Sequence, residues 1–188
     1  MYVDYFGRST KSDLEAKPRI KMCLTGCCGV GKSVFYHNYF GTMNQFKNVS
    51  TSAADISCKK VKIDGKGEST VSIWDTAGQE KYSSITNIFY KDCQGVLIIF
   101  DITNKESFDQ IENHWIPQLK KIVNLDEISV CFVGNKIDLE ESRAVDKEQG
   151  EILAFKHGFV YREISALMNE GVDDCVSALT EKIVLRME

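Results

Sequence analysis

The sequence predicts an α/β fold: a six-stranded, mostly parallel sheet with one antiparallel edge strand and helices on both faces. Three observations carry this expectation. Apolar runs that suit strands alternate with stretches whose apolar residues recur every three or four positions, the pattern of strand–helix–strand units. Two of the runs, Gly95–Phe100 and Ser129–Val133, are apolar almost throughout, as expected of strands covered on both faces. A glycine-rich segment, Gly26-Cys27-Cys28-Gly29-Val30-Gly31-Lys32-Ser33, stands between the first strand and the first helix.

The elements follow in order. Residues 1–18 are polar and unpatterned and are expected to form a flexible arm, which leaves 19–188 as one domain. Ile20–Leu24 reads as a buried strand, and Val34–Phe40 continues as a helix after the glycine segment. Residues 55–63 and 70–74 flank Asp64-Gly65-Lys66-Gly67, a turn signal that makes the pair a hairpin. Lys59-Lys60-Val61-Lys62 is a short basic run on that alternating edge strand, where a solvated, association-resistant edge rather than a membrane patch is the expected role. Phe108, Ile111, Trp115, Leu119 and Ile122 mark one face of a helix after the strand at 95–100. The strand Phe159–Ile164 comes next, and Val172, Val176, Leu179, Ile183 and Val184 mark a last helix.

Composition narrows the function class. With 188 residues, 43% hydrophobic and 27% charged, the chain suits one globular domain with a sizeable core. A net charge of −4 provides no basic field for nucleic acid. No apolar run is long enough to span a bilayer, and the N-terminus lacks the apolar core of a secretory signal. The seven cysteines are irregularly spaced, without a C-x-x-C pair, and read as reduced thiols of an intracellular protein. His37, His114 and His157 are scattered and read as surface or half-buried groups.

Gly26 to Ser33 spells G-x-x-x-x-G-K-[ST], the phosphate-binding loop. Glycines let the backbone turn tightly and bring N–H groups close to phosphate oxygens. Lys32 supplies a mobile positive charge, the Ser33 hydroxyl can ligate Mg²⁺, and the following helix points its positive end at the same anion. Cys28, Gly29, Val30, Gly31, Lys32, Ser33 and Val34 are therefore the candidate phosphate-binding residues, against the alternative of a plain glycine turn.

Three further segments follow strands, where ligands of such sheets bind. Asp75-Thr76-Ala77-Gly78-Gln79-Glu80 follows Trp74. Asp75 can hold Mg²⁺ through water, Gly78 offers an unobstructed N–H to a γ-phosphate, and Gln79 can orient a water without being a strong base; a surface turn capped by Asp75 is the alternative. Asn135-Lys136-Ile137-Asp138 places a carboxylate where it can accept two hydrogen bonds from the N1–H and amino edge of guanine. Adenine has no such donor pair, so Asp138 would be left unpaired against it. Asn135 can tie loops together, and the Lys136 stem can lie over the base. Alone, N-K-x-D is a common surface turn; after the two preceding motifs it points to guanine. Ser165-Ala166-Leu167 has a backbone that could reach guanine O6, or forms a plain loop. Thr51, 18 residues after Ser33, lies in a polar stretch where a hydroxyl could ligate Mg²⁺.

These motifs, in this order, resemble the Ras superfamily of small GTPases over about residues 19–186. Within it, Trp74 before D-T-A-G-Q-E, Lys81-Tyr82-Ser83-Ser84-Ile85-Thr86 with Phe89-Tyr90, and Thr103-Asn104-Lys105-Glu106-Ser107-Phe108 look Rab-like. The resemblance implies a P-loop NTPase small G domain and a monomeric GTP/GDP switch with slow Mg²⁺-dependent hydrolysis in vesicular traffic. Residues 41–56 and 75–91 would be the two switch segments, with Thr51 the first-switch threonine. Ser33, Thr51 and Asp75 would serve Mg²⁺, and Gln79 would orient the attacking water. Implied partners are an exchange factor, a GTPase-activating protein, and effectors at the switches and Trp74, which is expected half exposed at a sheet edge. The implied location is the cytoplasm or the cytoplasmic face of endomembranes.

The chain also departs from the Rab pattern. Ser52-Ala53-Ala54-Asp55-Ile56 keeps only Asp55 of the usual effector sequence, and Asn44 stands where an aromatic usually stacks on guanine. Leu167 replaces a lysine, and Cys28 takes a usually small position. The terminal Leu185-Arg186-Met187-Glu188 lacks a prenylation cysteine, so either a tail is missing or this member does not anchor by lipid. No arginine occurs between Ser33 and Arg143, which implies weak intrinsic hydrolysis helped in trans. The alternative is a GTP-binding interaction module with negligible turnover; an ATPase or kinase is disfavoured by Asp138.

Overall fold

The structure is a computed structural model and describes residues 19–45, 55–63, 67–75 and 89–187. Its strands are β1 (Arg19–Thr25), β2 (Asp55–Ile63), β3 (Gly67–Asp75), β4 (Gly95–Asp101), β5 (Ser129–Asn135) and β6 (Val160–Ile164). They form one six-stranded sheet in the order β2-β3-β1-β4-β5-β6. β2 pairs antiparallel with β3, and every other pairing is parallel. The expected fold class holds, although β3 begins at Gly67 rather than at residue 70. The arm 1–18 and the turn residues 64–66 lie outside the described residues.

The central strands are apolar throughout because both their faces are covered. On β4, Leu97 and Ile99 enter one core while Val96, Ile98 and Phe100 enter the other. On β5, Cys131 and Val133 divide from Val130 and Phe132 in the same way, which is the period-two alternation of a pleated strand. The first core is closed by α1 (Lys32–Tyr39) and by a C-terminal helix, Val172–Arg186. All five of the predicted face residues of that C-terminal helix, Val172 to Val184, are buried.

The second core is closed by α2, which follows β4 in three segments: Lys105–Gln110, a π-helical turn Ile111–Trp115, and Ile116–Lys120. Phe108, Ile111, Trp115 and Leu119 are buried as expected, and Ile122 packs at the margin. The π turn stands just ahead of Pro117, which has no N–H for the i→i−4 ladder and whose ring would crowd the preceding turn.

The apolar periodicity did not reveal α3 (Lys147–His157), which packs on the same face. Leu153 and Ala154 are buried, but their neighbours Ile152 and Phe155 are exposed, so no clean stripe forms. The cap signals would have found it. The Asp146 N–H donates to Gln149 Oε1 at 3.1 Å, and Gly158 ends the helix at φ 67°, the left-handed conformation glycine favours. With α3 in place, the C-terminal helix is α4.

Trp74 is half-buried, as expected, but it lies on β3, one strand in from the edge rather than at it. Lys21 Nζ sits 3.9 Å above its ring, and Phe89 meets it edge-on at 6.1 Å. The edge strand is β2, where Lys59, Lys60 and Lys62 are exposed as expected. Lys59 also pairs with Asp173 of α4 at 3.0 Å. All seven cysteines are free thiols. His114 is exposed, and His37 and His157 are half-buried.

Candidate functional site

Five parallel strands, β1, β3, β4, β5 and β6, end at one end of the sheet. The loop after β1 is the phosphate-loop candidate, and its glycines answer close approaches rather than mere flexibility. Gly26 has φ 137°, and a Cβ there would lie 2.1 Å from the Ile99 carbonyl oxygen on β4. Gly31 has φ 99°, and its Cβ would lie 2.3 Å from Asn135 Nδ2. Neither position admits a side chain. Gly29, at φ 79°, faces open space.

Lys32 opens α1, yet its side chain is 5% exposed and turns back over the loop. Its ammonium donates to the Gly26 and Cys27 carbonyls at 2.6 and 2.8 Å. The cation therefore stands at the mouth of the amide-lined loop. Val30 is buried, Ser33 and Val34 are half-buried in the first helical turn, and Cys28 is exposed at the loop's tip.

Asp75 ends β3 beside this loop, in register with Leu24 of β1, and is fully buried. Asp75 and Ser33 offer only hard oxygen donors, a chemistry that suits Mg²⁺ better than a softer metal. Thr51, Gly78 and Gln79 lie outside the described residues.

β4 separates β1 from β5, so the phosphate loop and the Asn135–Asp138 segment rise about 10 Å apart, two inter-strand spacings. Asn135 joins them. It is 2% exposed, its Nδ2 donates to the Val30 carbonyl at 2.7 Å, and its Oδ1 accepts the Ala166 N–H at 2.8 Å. One side chain thus links the phosphate loop to the loop after β6. Asn38 of α1 adds a second link by donating from Nδ2 to the Ala166 carbonyl.

Lys136 takes a left-handed conformation, φ 74° and ψ 37°, and its ammonium lies 2.5 Å from Asp101 Oδ2 at the end of β4. Asp101 Oδ1 accepts from the Thr103 N–H and hydroxyl at 2.9 and 2.7 Å. Burial pushes the Asp101 carboxyl up, but the hydrogen bonds from Lys136 and Thr103 outweigh it and hold the group below the ordinary Asp value.

Asp138 is exposed at the start of the 3₁₀ turn Ile137–Ser142. The buried Ser165 hydroxyl donates to its Oδ1 at 2.5 Å and accepts the Met168 N–H at 3.0 Å. Of the expected trio, Ser165 and Ala166 are buried and Leu167 is exposed. The described candidates from both halves of the chain therefore converge on one edge of the sheet.

Three contributors escaped the sequence reading. Asp101 stands at a strand end in register with Asn135, a pairing that the structure shows and no local sequence pattern does. Thr103 follows from Asp101 as a short turn bond. Asn38 carried no signal, because its partner lies 128 residues away.

Comparisons with known proteins agree with this geometry. A model of the Ras family matches residues 21–185. The chain is 36% identical over 170 residues to the GTP-binding protein yptV2 of Volvox carteri, covering 90% of this chain and 77% of that one. It is 34% identical over 168 residues to Ras-related protein Rab-8A of Bos taurus, covering 89% and 80%. It is 36% identical over 180 residues to Ras-related protein Rab-27B of Homo sapiens, covering 90% and 81%. With its fold, its loop geometry and these matches in agreement, the chain belongs to the Ras family and stands near the Rab branch.

Proposed function

We propose that the protein is a Rab-like guanine-nucleotide switch that binds GTP and GDP and hydrolyses GTP slowly, serving vesicular traffic. The observation that carries this reading is the Asn135 bridge. It fastens the loop suited to phosphates to the loops suited to a base, as a single ligand spanning both requires. In this reading, backbone N–H groups from Cys28 to Val34 hold the phosphates, and Lys32 moves from the loop carbonyls to the β- and γ-oxygens. Asp138 accepts from the guanine edge while Ser165 holds its other oxygen, and the Ala166–Leu167 backbone faces the base.

Ser33, Asp75 and Thr51 would hold Mg²⁺, which supplies charge neutralisation on the phosphates when bound. Gln79 would orient the attacking water. Arg143 is the first arginine after Ser33 and is occupied on the base side of the site, so beyond Lys32 the transition state takes no obvious arginine from the described residues. Turnover is therefore slow alone and rises with an activating protein that supplies one.

Proposed partners are that activator, an exchange factor, and effectors reading the switch segments and the half-buried Trp74. The protein is proposed to act as a monomer in the cytoplasm or at the cytoplasmic face of endomembranes. Among the described residues, no helix is long and apolar enough to cross a membrane. A second reading, a GTP-binding interaction module without useful turnover, draws on Asn44, exposed in the 3₁₀ turn Met43–Gln45 where an aromatic is usual.

Mass spectrometry of the nucleotide that copurifies with the chain tests the binding claim. GDP or GTP is expected, and an adenine nucleotide overturns it. Single-turnover hydrolysis separates the two readings. Slow, measurable phosphate release supports the switch, and none, even with cell extract added, supports the module.

A further inference from the structure

Arg143 closes the 3₁₀ turn that carries Asp138, and all five of its guanidinium N–H donors are committed. Nε and Nη2 donate to Glu140 at 2.8 and 2.7 Å. Nη1 and Nη2 donate to Glu163 of β6 at 2.8 and 3.0 Å, and Nη1 also donates to the Val145 carbonyl at 2.9 Å. The two carboxylates differ in environment. Glu140 is 64% exposed, whereas the Arg143 and Glu163 side chains are 15% and 13% exposed. Solvent screens the first pair and leaves the bidentate second pair to do most of the holding.

Glu163 is itself anchored. The Tyr161 hydroxyl donates to its Oε1 at 2.8 Å, and the Tyr161 ring stacks on Phe100 at an interplanar angle of 18°. That ring lies so close to Gly150 of α3 that a Cβ there would meet it at 2.3 Å. Tyr161 and Glu163 therefore have little room to shift. Two residues beyond Glu163, Ser165 donates to Asp138.

The Arg143–Glu163 pair and the Ser165–Asp138 bond are thus two rungs joining the same two segments. One rung is largely shielded and bidentate. The other is a single hydrogen bond at the exposed edge, where Asp138 would meet a base.

We propose that Arg143 and Glu163 are positioning residues that set the aim of Asp138 and so the discrimination between guanine and bases lacking its amino group. The inference rests on the guanine reading above. Neither side chain touches the nucleotide; both act through the register of the turn Ile137–Ser142 against β6. Loosening that register costs the bonds between Asp138 and the base edge and leaves the phosphate grip at Gly26–Ser33 as it was.

The test compares GDP with IDP, which shares the ribose and phosphates but lacks the 2-amino donor. Dissociation constants of both are measured for the full chain, for Glu163→Gln, and for Arg143→Lys. Glu163→Gln keeps the side chain's shape and an acceptor for Tyr161, and Arg143→Lys keeps the charge but loses the fork. The native chain is expected to prefer GDP by about tenfold or more, the loss of one hydrogen bond to a charged group. Both variants are expected to narrow that ratio about three- to tenfold, because GDP loses two bonds to Asp138 where IDP, which keeps only N1–H, loses one. A merely structural role would weaken both nucleotides together, and an unaltered ratio in both variants overturns the proposal. A native ratio near one would instead strike down the guanine reading itself.

Discussion

Asn135→Ala probes the link between the two ends of the site. Asn135 is 2% exposed and makes two hydrogen bonds, to the Val30 carbonyl at 2.7 Å and from the Ala166 N–H at 2.8 Å. Val30 and Ala166 are themselves 2% and 1% exposed, so truncation orphans one buried acceptor and one buried donor. Each orphan costs about 1–3 kcal/mol, giving about 2–6 kcal/mol together, and entry of a water into the vacated space moves the value toward the lower end. At about 2–4 °C per kcal/mol for a chain of this size, even the lower bound lowers the melting temperature by several degrees. The assay is thermal melting with GDP in excess, run beside the dissociation rate of a fluorescent GDP analogue. Faster release together with a lowered melt is expected, since the phosphate loop and the Ala166 loop lose their shared tie. Asn135→Asp keeps the Ala166 acceptor but faces the Val30 carbonyl with an oxygen, so it is expected to be no milder. Unchanged melting and release in Asn135→Ala would refute the bridge.

Two further outcomes follow from the same geometry and a third from the proposed role of Gln79. Phe100 is fully buried, against Phe108 at 5.0 Å and Tyr161 at 6.5 Å; Phe100→Ala is expected to destabilise by about 3–5 kcal/mol in urea unfolding, and a loss below about 1 kcal/mol would contradict the packing. The Asp101 carboxyl is held below its ordinary value by Lys136 and Thr103 against the upward push of burial. Its contribution is therefore full above the unfolded-state value of about 3.9 and is lost as pH falls through the lower folded-state value. The stability advantage of the native chain over Asp101→Asn should be constant near neutrality and shrink as pH falls below about 4, and an advantage that grows with acidity would reverse the assignment. Gln79→Leu is expected to abolish phosphate release while leaving GDP affinity within about twofold, a difference under 0.5 kcal/mol; equal release by both forms would remove Gln79 from the reaction.

What the sequence made legible follows from how locally each feature is determined. Gly26 to Ser33 could be read because every residue type there answers a demand of its own position, and the approaches at Gly26 and Gly31 show why no other residue fits. β4 and β5 were legible because strands buried on both faces need no polar alternation. α3 was hidden because Ile152 and Phe155 point to solvent beside buried Leu153 and Ala154, which erases the period its caps would otherwise have framed. The π turn of α2 does not disturb the spacing of Phe108, Ile111, Trp115 and Leu119 and so could not be seen in it. Asp101, Asn38 and the Arg143 clamp depend on strand register and on pairings 20 to 128 residues apart, which no local pattern encodes. Trp74 was misplaced at the edge because the hairpin alone does not say which of its strands continues into the sheet.

The guanine assignment rests on Asp138 accepting from the base edge, with Ser165 holding its other oxygen at 2.5 Å. Competition binding of GDP and XDP to the native chain and to Asp138→Asn tests this most directly, because the amide presents a donor where xanthine presents a carbonyl. The native chain should strongly favour GDP, and the variant should shift toward XDP by at least tenfold, about 1.4 kcal/mol. An unchanged preference in the variant, or XDP bound as well as GDP by the native chain, would contradict it.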